Sequence, residues 1–131
     1  MKKTIKIIAV LALLAMGFTA CKKEKQTSQT QQQIKYEVTA VGNSNTEIFV
    51  TYLGRNNPTG GIDPYDVISI TETTMTPWTY EYKSNSEKGT ALLHAIVNNN
   101  YEVEITAKIL VNGIVVKEKT GNDIEIYHLF D

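Results

Sequence analysis

The sequence predicts an all-β domain, a single antiparallel β-sandwich of about eight strands, and three observations carry that expectation. Apolar and polar side chains alternate in several segments, most clearly at 34–40 and 101–111, and a period of two marks a half-buried strand. Turn chemistry recurs between such segments at roughly 8–12-residue spacing, as in sandwiches. Seven tyrosines and many Thr, Val and Ile supply the residue types that suit strands. No repeat or heptad pattern is visible.

The chain opens ahead of that domain. Lys2, Lys3 and Lys6 precede residues 7–18, which carry no charge and are dominated by Ile, Leu, Val, Ala and Met. A positive n-region followed by an apolar h-region is the layout of a secretory signal. A bilayer-spanning helix needs roughly 20 apolar residues, and this run is shorter. It ends in Phe18-Thr19-Ala20-Cys21, which holds the only cysteine of the chain. Here the sequence resembles a bacterial lipoprotein signal peptide, whose lipobox reads Leu, small, small, Cys; Phe18 stands in place of the usual Leu. The resemblance implies cleavage between Ala20 and Cys21, a diacylglyceryl thioether on the Cys21 sulfur, and an acyl chain such as palmitate on its α-amine. The thiol is the chain's only soft nucleophile. The alternative is a plain secretory signal with an incidental cysteine. One cysteine cannot form a disulfide within its own chain.

Residues 22–33, KKEKQTSQTQQQ, contain no apolar side chain. Such a segment cannot bury enough surface to offset its ordering entropy, so a disordered tether is expected, spanning ~20 Å root-mean-square. Lys22 and Lys23 with one Glu24 do not form an acid-rich surface-export signal. The expectation is therefore an outer-membrane anchor facing the periplasm, with surface exposure as the alternative. The domain boundaries follow: 1–20 signal peptide, 21–33 lipidated cysteine and tether, 34–131 β-sandwich.

From Ile34 onward seven basic residues face 13 acidic ones, a net charge of −6 that the whole-chain value of −1 conceals. An acidic domain without a basic patch argues against nucleic-acid binding. Its first strand is 34–40, with Ile34, Tyr36, Val38 and Ala40 on one face. Residues 41–45 are turn chemistry. The second strand, 46–53, puts Ile48, Val50 and Tyr52 on one face and Phe49 and Leu53 on the other, as expected of a central strand or one covered on both sides. Residues 54–64 hold three glycines and two prolines and predict a long loop. Residues 66–73 form strand three around Val67, Ile68 and Ile70. Pro77 opens strand four, a position where the missing amide is tolerated, and Trp78, Tyr80 and Tyr82 follow on one face. Strand five, 90–97, is apolar on both faces; helix competes there, but the length favours a strand.

Tyr101, Val103, Ile105, Ala107, Ile109 and Val111 then alternate up to Asn112-Gly113, and Ile114 and Val116 resume beyond. Asn-Gly between alternating runs is the strongest short hairpin signal, because both central residues of a type I′ turn need positive φ. A two-residue loop sets Val111 opposite Ile114, Ile109 opposite Val116, and Lys108 opposite Lys117, a mild repulsion. Gly121-Asn122 turns the chain into a last strand, 124–130.

Three segments together, IKYEVTA (34–40), TPWTYEY (76–82) and ITAKILVNGIVVKEKTG (105–121), resemble the small mycobacterial membrane proteins of the MmpS type and their bacterial relatives. The resemblance implies an immunoglobulin-like β-sandwich held to a membrane by its N-terminus, acting as an accessory to an exporter of the resistance-nodulation-division type. Two departures stand out. Many relatives have a cysteine where Ala107 stands and a second in the final strand, and this chain has neither. Mycobacterial relatives carry a transmembrane helix rather than a lipoprotein signal.

Catalytic chemistry is sparse. His94 and His128 lie within predicted strands, where a satisfied or surface histidine is the ordinary outcome. No Ser sits in a Gly-x-Ser-x-Gly turn. Asp63 and Asp66 lack the acidic spacing of a calcium loop and suit turn capping. Glu102 and Glu104 line the wet side of a strand, and Gly60-Gly61 is too isolated to cradle a phosphate. The expectation is no enzyme, no catalytic residues, no metal and no cofactor beyond the acyl chains on Cys21. Trp78, Tyr80 and Tyr82 form either the core side of their strand, the favoured reading, or an exposed platform for a sugar or lipid. Edge strands offer a further route to partners by strand addition. The chain is thus expected to be a lipid-anchored envelope protein that binds a transporter or another envelope protein, or else a small-ligand module.

Overall fold

The computed structural model describes residues 31–42, 45–55, 67–84 and 87–131. They form eight strands and no helix: β1 (Gln33–Ala40), β2 (Glu47–Arg55), β3 (Val67–Met75), β4 (Trp78–Lys83), β5 (Gly89–Val97), β6 (Ile105–Val111), β7 (Ile114–Gly121) and β8 (Asp123–Phe130). One sheet has the order β4-β1-β6-β7 and the other β3-β2-β5-β8, with every pair antiparallel. The all-β sandwich expected from the alternation is what the chain forms. The 54–64 loop falls mostly outside the described residues.

The period-two pattern decides which side chains meet between the sheets. Ile34, Tyr36 and Val38 of β1, Ile48 and Val50 of β2, Ala91, Leu93 and Ala95 of β5, and Ile105, Ala107 and Ile109 of β6 are wholly buried. Burying one such aliphatic side chain is worth about 1.5–3 kcal/mol relative to exposure. β8 completes this layer with Ile124, Ile126 and Phe130. β2 is central, between β3 and β5, but only its inner face is covered, since Phe49 is exposed on the other side.

The hairpin at Asn112-Gly113 forms with φ of 52° and 81°, the positive pair that a type I′ turn requires. Its tip is tied to the start of β1: the Gln33 amide donates to Asn112 Oδ1 (2.9 Å), and the Asn112 amide donates to the Gln33 carbonyl (2.8 Å). The register departs from the simple hairpin. Val111 faces Ile114, but a bulge between Ile109 and Leu110 shifts the rest, so Ile109 faces Lys117 and Lys108 faces Glu118. The expected Lys108–Lys117 repulsion is replaced by a Lys108–Glu118 ion pair at 3.5 Å, and Thr106 and Thr120 bond at 2.8 Å. The bulge also puts Lys117 and Lys119 in register with the core-facing Ile109 and Ala107. Charge on the inward side of an edge strand opposes pairing with another chain.

Boundaries shift from the sequence expectation: β2 runs on through Gly54 and Arg55, where a loop is expected, and β6 shows the largest change. β6 begins at Ile105, so Tyr101 and Val103 lie in a turn although they continue the alternation. Asn100 is the cause: its Oδ1 accepts from the Glu102 amide (3.2 Å) and its carbonyl from the Val103 amide (3.0 Å), the local bonding by which Asn diverts a strand into a turn.

Replacing Gly113 with Val places a β-branched residue at φ 81°, a cost of about 1–2 kcal/mol. The melting temperature should fall by roughly 5–15 °C; an unchanged melt in a thermal denaturation followed by circular dichroism would remove the turn from its role.

Candidate functional site

The aromatic face of β4 points into the sandwich. Trp78 is 9% and Tyr82 4% exposed, and Tyr80 is half-buried. By register Trp78 lies beside Val38, Tyr80 beside Tyr36 and Tyr82 beside Ile34. Tyr52 of the opposite sheet meets them at centroid distances of 5.0 Å to Trp78 and 4.6 Å to Tyr80. Trp78, Tyr80 and Tyr82 therefore make a core layer and no exposed platform, which corrects the alternative raised from the sequence.

Each polar handle in this layer has a partner, as buried aromatic hydroxyls and indoles require. Trp78 Nε1 and the Tyr52 hydroxyl both donate to Glu72 Oε1, at 3.0 and 3.2 Å. The Tyr80 hydroxyl accepts from the Arg55 amide (3.0 Å) and donates to the Arg55 carbonyl (3.2 Å). Gly54 permits that approach, because a Cβ there would stand 2.8 Å from Ile70 Cδ1 and 2.9 Å from the Tyr80 hydroxyl. The Tyr36 hydroxyl crosses from one sheet to the other. It donates to the Leu53 carbonyl (2.8 Å) and accepts from the Leu92 amide (3.3 Å).

The histidines are placed apart. His94 Nε2 and Asp123 Oδ1 are 2.8 Å apart on the outer face of the second sheet, while His128 is half-buried and shares the inner face of β8 with Ile126 and Phe130. Glu102 and Glu104 are exposed but precede β6 rather than lining it. Among the described residues no group of three or more His, Cys, Asp or Glu comes together to hold a metal. Ala20, Cys21, Gly60, Gly61, Asp63 and Asp66 lie outside the described residues.

Two poles remain as candidate surfaces. At the pole away from Gln33, Tyr101 is 70% exposed beside an open cavity of about 410 Å³ lined by Glu102, Glu104 and Asn122. A second hollow of about 290 Å³ adjoins it, lined by Asn45, Glu47, Asn99 and Asn100, where Glu47 Oε1 accepts from Asn99 Nδ2 at 2.9 Å and from Asn98 Nδ2. At the other pole a groove of about 380 Å³ runs between the β6–β7 hairpin and the end of β8, past Gln32, Ile114, His128 and Leu129. Neither pole was singled out by sequence reasoning. The available signal was the aliphatic pair directly after Asn112-Gly113, and a tyrosine directly after three asparagines.

No family model matches the chain, and a search of the curated proteins finds none significantly similar to it.

Burial pushes the Tyr36, Tyr52 and Tyr82 phenols above the ordinary tyrosine range, and the nearby Glu72 carboxylate adds to the effect at Tyr52. The folded state thus holds these protons after the unfolded chain has lost them. Their contribution to stability is fully present below about pH 10 and is lost as pH rises above it. Absorbance titration should show three of the seven tyrosines ionising only as the chain unfolds. Tyr36→Phe should lower stability at neutral pH by about 1–3 kcal/mol, the cost of leaving bonded buried groups unpaired, and should flatten the alkaline decline. A variant as stable as the parent would show that the hydroxyl bridge contributes nothing.

Proposed function

We propose that this is a lipid-anchored protein of the bacterial cell envelope whose β-sandwich acts by binding rather than by catalysis. The observation that carries it is the position of Cys21. The chain's sole cysteine closes a charge-free run of about 12 residues behind a lysine-rich start, and it stands 12 residues ahead of the first strand residue, Gln33. An acylated cysteine at that point leaves a polar leash and then a folded domain. Two acylation sites hold far better than one, at about 0.8 kcal/mol per buried methylene.

Within that setting we assign the domain an accessory role beside an envelope partner, on the model of the MmpS-type proteins it resembles, with an exporter as the specific candidate. The resemblance in 34–40, 76–82 and 105–121 supports this. Purification from the native membrane fraction should yield a mature N-terminus at Cys21 carrying acyl chains by mass spectrometry. Cys21→Ser should abolish both the acylation and the cleavage; intact Met1 in the native protein would defeat the anchor.

A second reading, a module for a small sugar ligand, draws on one observation: Tyr101 stands exposed among Asn and Glu side chains at the pole away from Gln33. An aromatic face with amide and carboxylate neighbours suits a sugar's C–H face and hydroxyls. Tyr101→Ala should abolish glycan retention on an array while leaving the melting temperature within about 4 °C, since surface substitutions change stability by less than about 0.5 kcal/mol. Absence of any retention by the unsubstituted protein would dismiss this reading.

A further inference from the structure

We infer that the pole carrying Gln32 and the β6–β7 hairpin seats directly on the bilayer surface, with Ile114, Val115 and Leu129 entering the boundary between headgroups and acyl chains. This rests on the lipid-anchor reading.

Three aliphatic side chains stand out in the open at one end of the molecule: Ile114 is 68%, Val115 46% and Leu129 67% exposed. Ile114 and Leu129 line the groove of about 380 Å³ between the hairpin and β8, and Val115 is the next residue along the hairpin. Exposed aliphatic clusters on a small domain mark a contact surface. The chain itself indicates which contact. Gln32 lines that groove, and Gln33 is bonded to the hairpin tip through Asn112, so the leash from Cys21 enters the domain at the groove. Residues 22–31 contain no apolar side chain, so that segment has nothing with which to fill the groove. What it brings there is the membrane: Cys21 precedes Gln32 by 11 residues, a reach of at most about 40 Å.

The surrounding side chains fit an interface of graded polarity. Tyr127 shares the outward face of β8 with Leu129 and is exposed. It lies two residues, about 7 Å, back along the strand, at the depth where a tyrosine's apolar ring and polar hydroxyl suit the headgroup layer. Lys83, in register with Gln33, is exposed at the same pole and matches anionic headgroups. Asp131 also lines the groove and stays in the headgroup water. The far pole also exposes Val41 and Met75, but sets them among Asn99 and the carboxylates of Glu47, Glu102 and Glu104, which anionic headgroups repel, and it faces away.

The test uses the full lipidated protein, purified from membranes and reconstituted into phosphatidylethanolamine–phosphatidylglycerol vesicles with brominated acyl chains. The parent has a single tryptophan, Trp78, 9% exposed and in register with Val38, away from the Gln33 pole, as background. Ile114→Trp and Leu129→Trp should each add fluorescence that bromine quenches roughly twofold, the behaviour of a side chain 5–10 Å into the headgroup boundary, whereas Tyr101→Trp should add fluorescence that bromine leaves intact. Flotation on a density gradient separates the two ideas. A protein that floats while positions 114 and 129 are quenched no more than 101 keeps the anchor and overturns the seating. Shielding of 114 and 129 from aqueous iodide without bromine quenching assigns the groove to a second copy or a protein partner, and also overturns it. A protein that does not float removes the anchor, and the seating with it.

Discussion

The two sheets are tied together by buried aromatic side chains: Tyr80 and Trp78 of β4 bond Arg55 and Glu72 of the opposite sheet, and the phenol of Tyr36 does the most to shape the fold. The Asn98 amide donates to the Glu47 carbonyl, so pairs 47/98, 49/96 and 51/94 are the hydrogen-bonded ones of the β2–β5 ladder, and by alternation 53/92 is the next. The ladder stops one residue short, at Tyr52–Leu93. At 53/92 the Tyr36 hydroxyl from the other sheet takes the Leu53 carbonyl and the Leu92 amide instead. The consequence is a fork. Beyond the phenol β2 continues with β3 to Arg55–Val67, while β5 continues with β8 to Gly89–Phe130. The opening between them is where Tyr80 and Tyr82 of β4 pack against Tyr36. An unpaired phenol in that position would cost about 1–3 kcal/mol, so the fork and the bridge sustain each other.

Much of the sandwich was legible because burial follows a period of two. Residues 34–40 carried their inner and outer faces in the alternation, whereas 46–53 and 90–97, apolar on both faces, marked strands without showing which face was inner; the Asn112-Gly113 turn was legible because few residue pairs accept positive φ twice. What stayed hidden has a physical reason in each case. The bulge at Ile109/Leu110 changes partners without changing the pattern on either strand, so Lys108–Glu118 could not be read from spacing. Tyr101 and Val103 keep the alternation going while Asn100 turns the chain beneath them. The face of Trp78, Tyr80 and Tyr82 reads the same whether it meets solvent or a second sheet; only the tyrosines at 36 and 52, brought there by the fold, make it core. Glu72 sits in a polar edge run, and its role as joint acceptor for Tyr52 and Trp78 depends on contacts between strands.

The surfaces left over are uneven. β7 presents Lys117 and Lys119 on its inward side, and a strand so charged is a poor template for another chain. Recognition through the described surfaces therefore falls to side chains at the poles more than to backbone at that edge. The poles differ in kind. One gathers Asn and Glu around Tyr101, where the hydroxyl and amides can exchange hydrogen bonds with polar ligands or proteins. The other exposes the aliphatic side chains of Ile114 and Leu129 beside Gln32.

Under the lipid-anchor proposal, that asymmetry gives the polar segment after Cys21 a meaning it would lack on a uniform domain. A polar segment of 12 residues lets a domain wander about 20 Å from its anchor, a distance comparable with the sandwich itself, whose eight- and nine-residue strands extend roughly 25–30 Å. On a uniform domain every orientation over the bilayer would be equivalent. With Ile114 and Leu129 beside Gln32 and Tyr101 a strand's length away, the proposed anchor would favour orientations with the aliphatic pole down, which would bury those two side chains away from Glu47, Glu102 and Glu104. The segment after Cys21 would then need only to keep the domain close, since the hairpin tip would choose the orientation. The pole with Tyr101 would thereby stand about one strand length above the headgroups, the height at which a partner projecting from the same membrane would meet it.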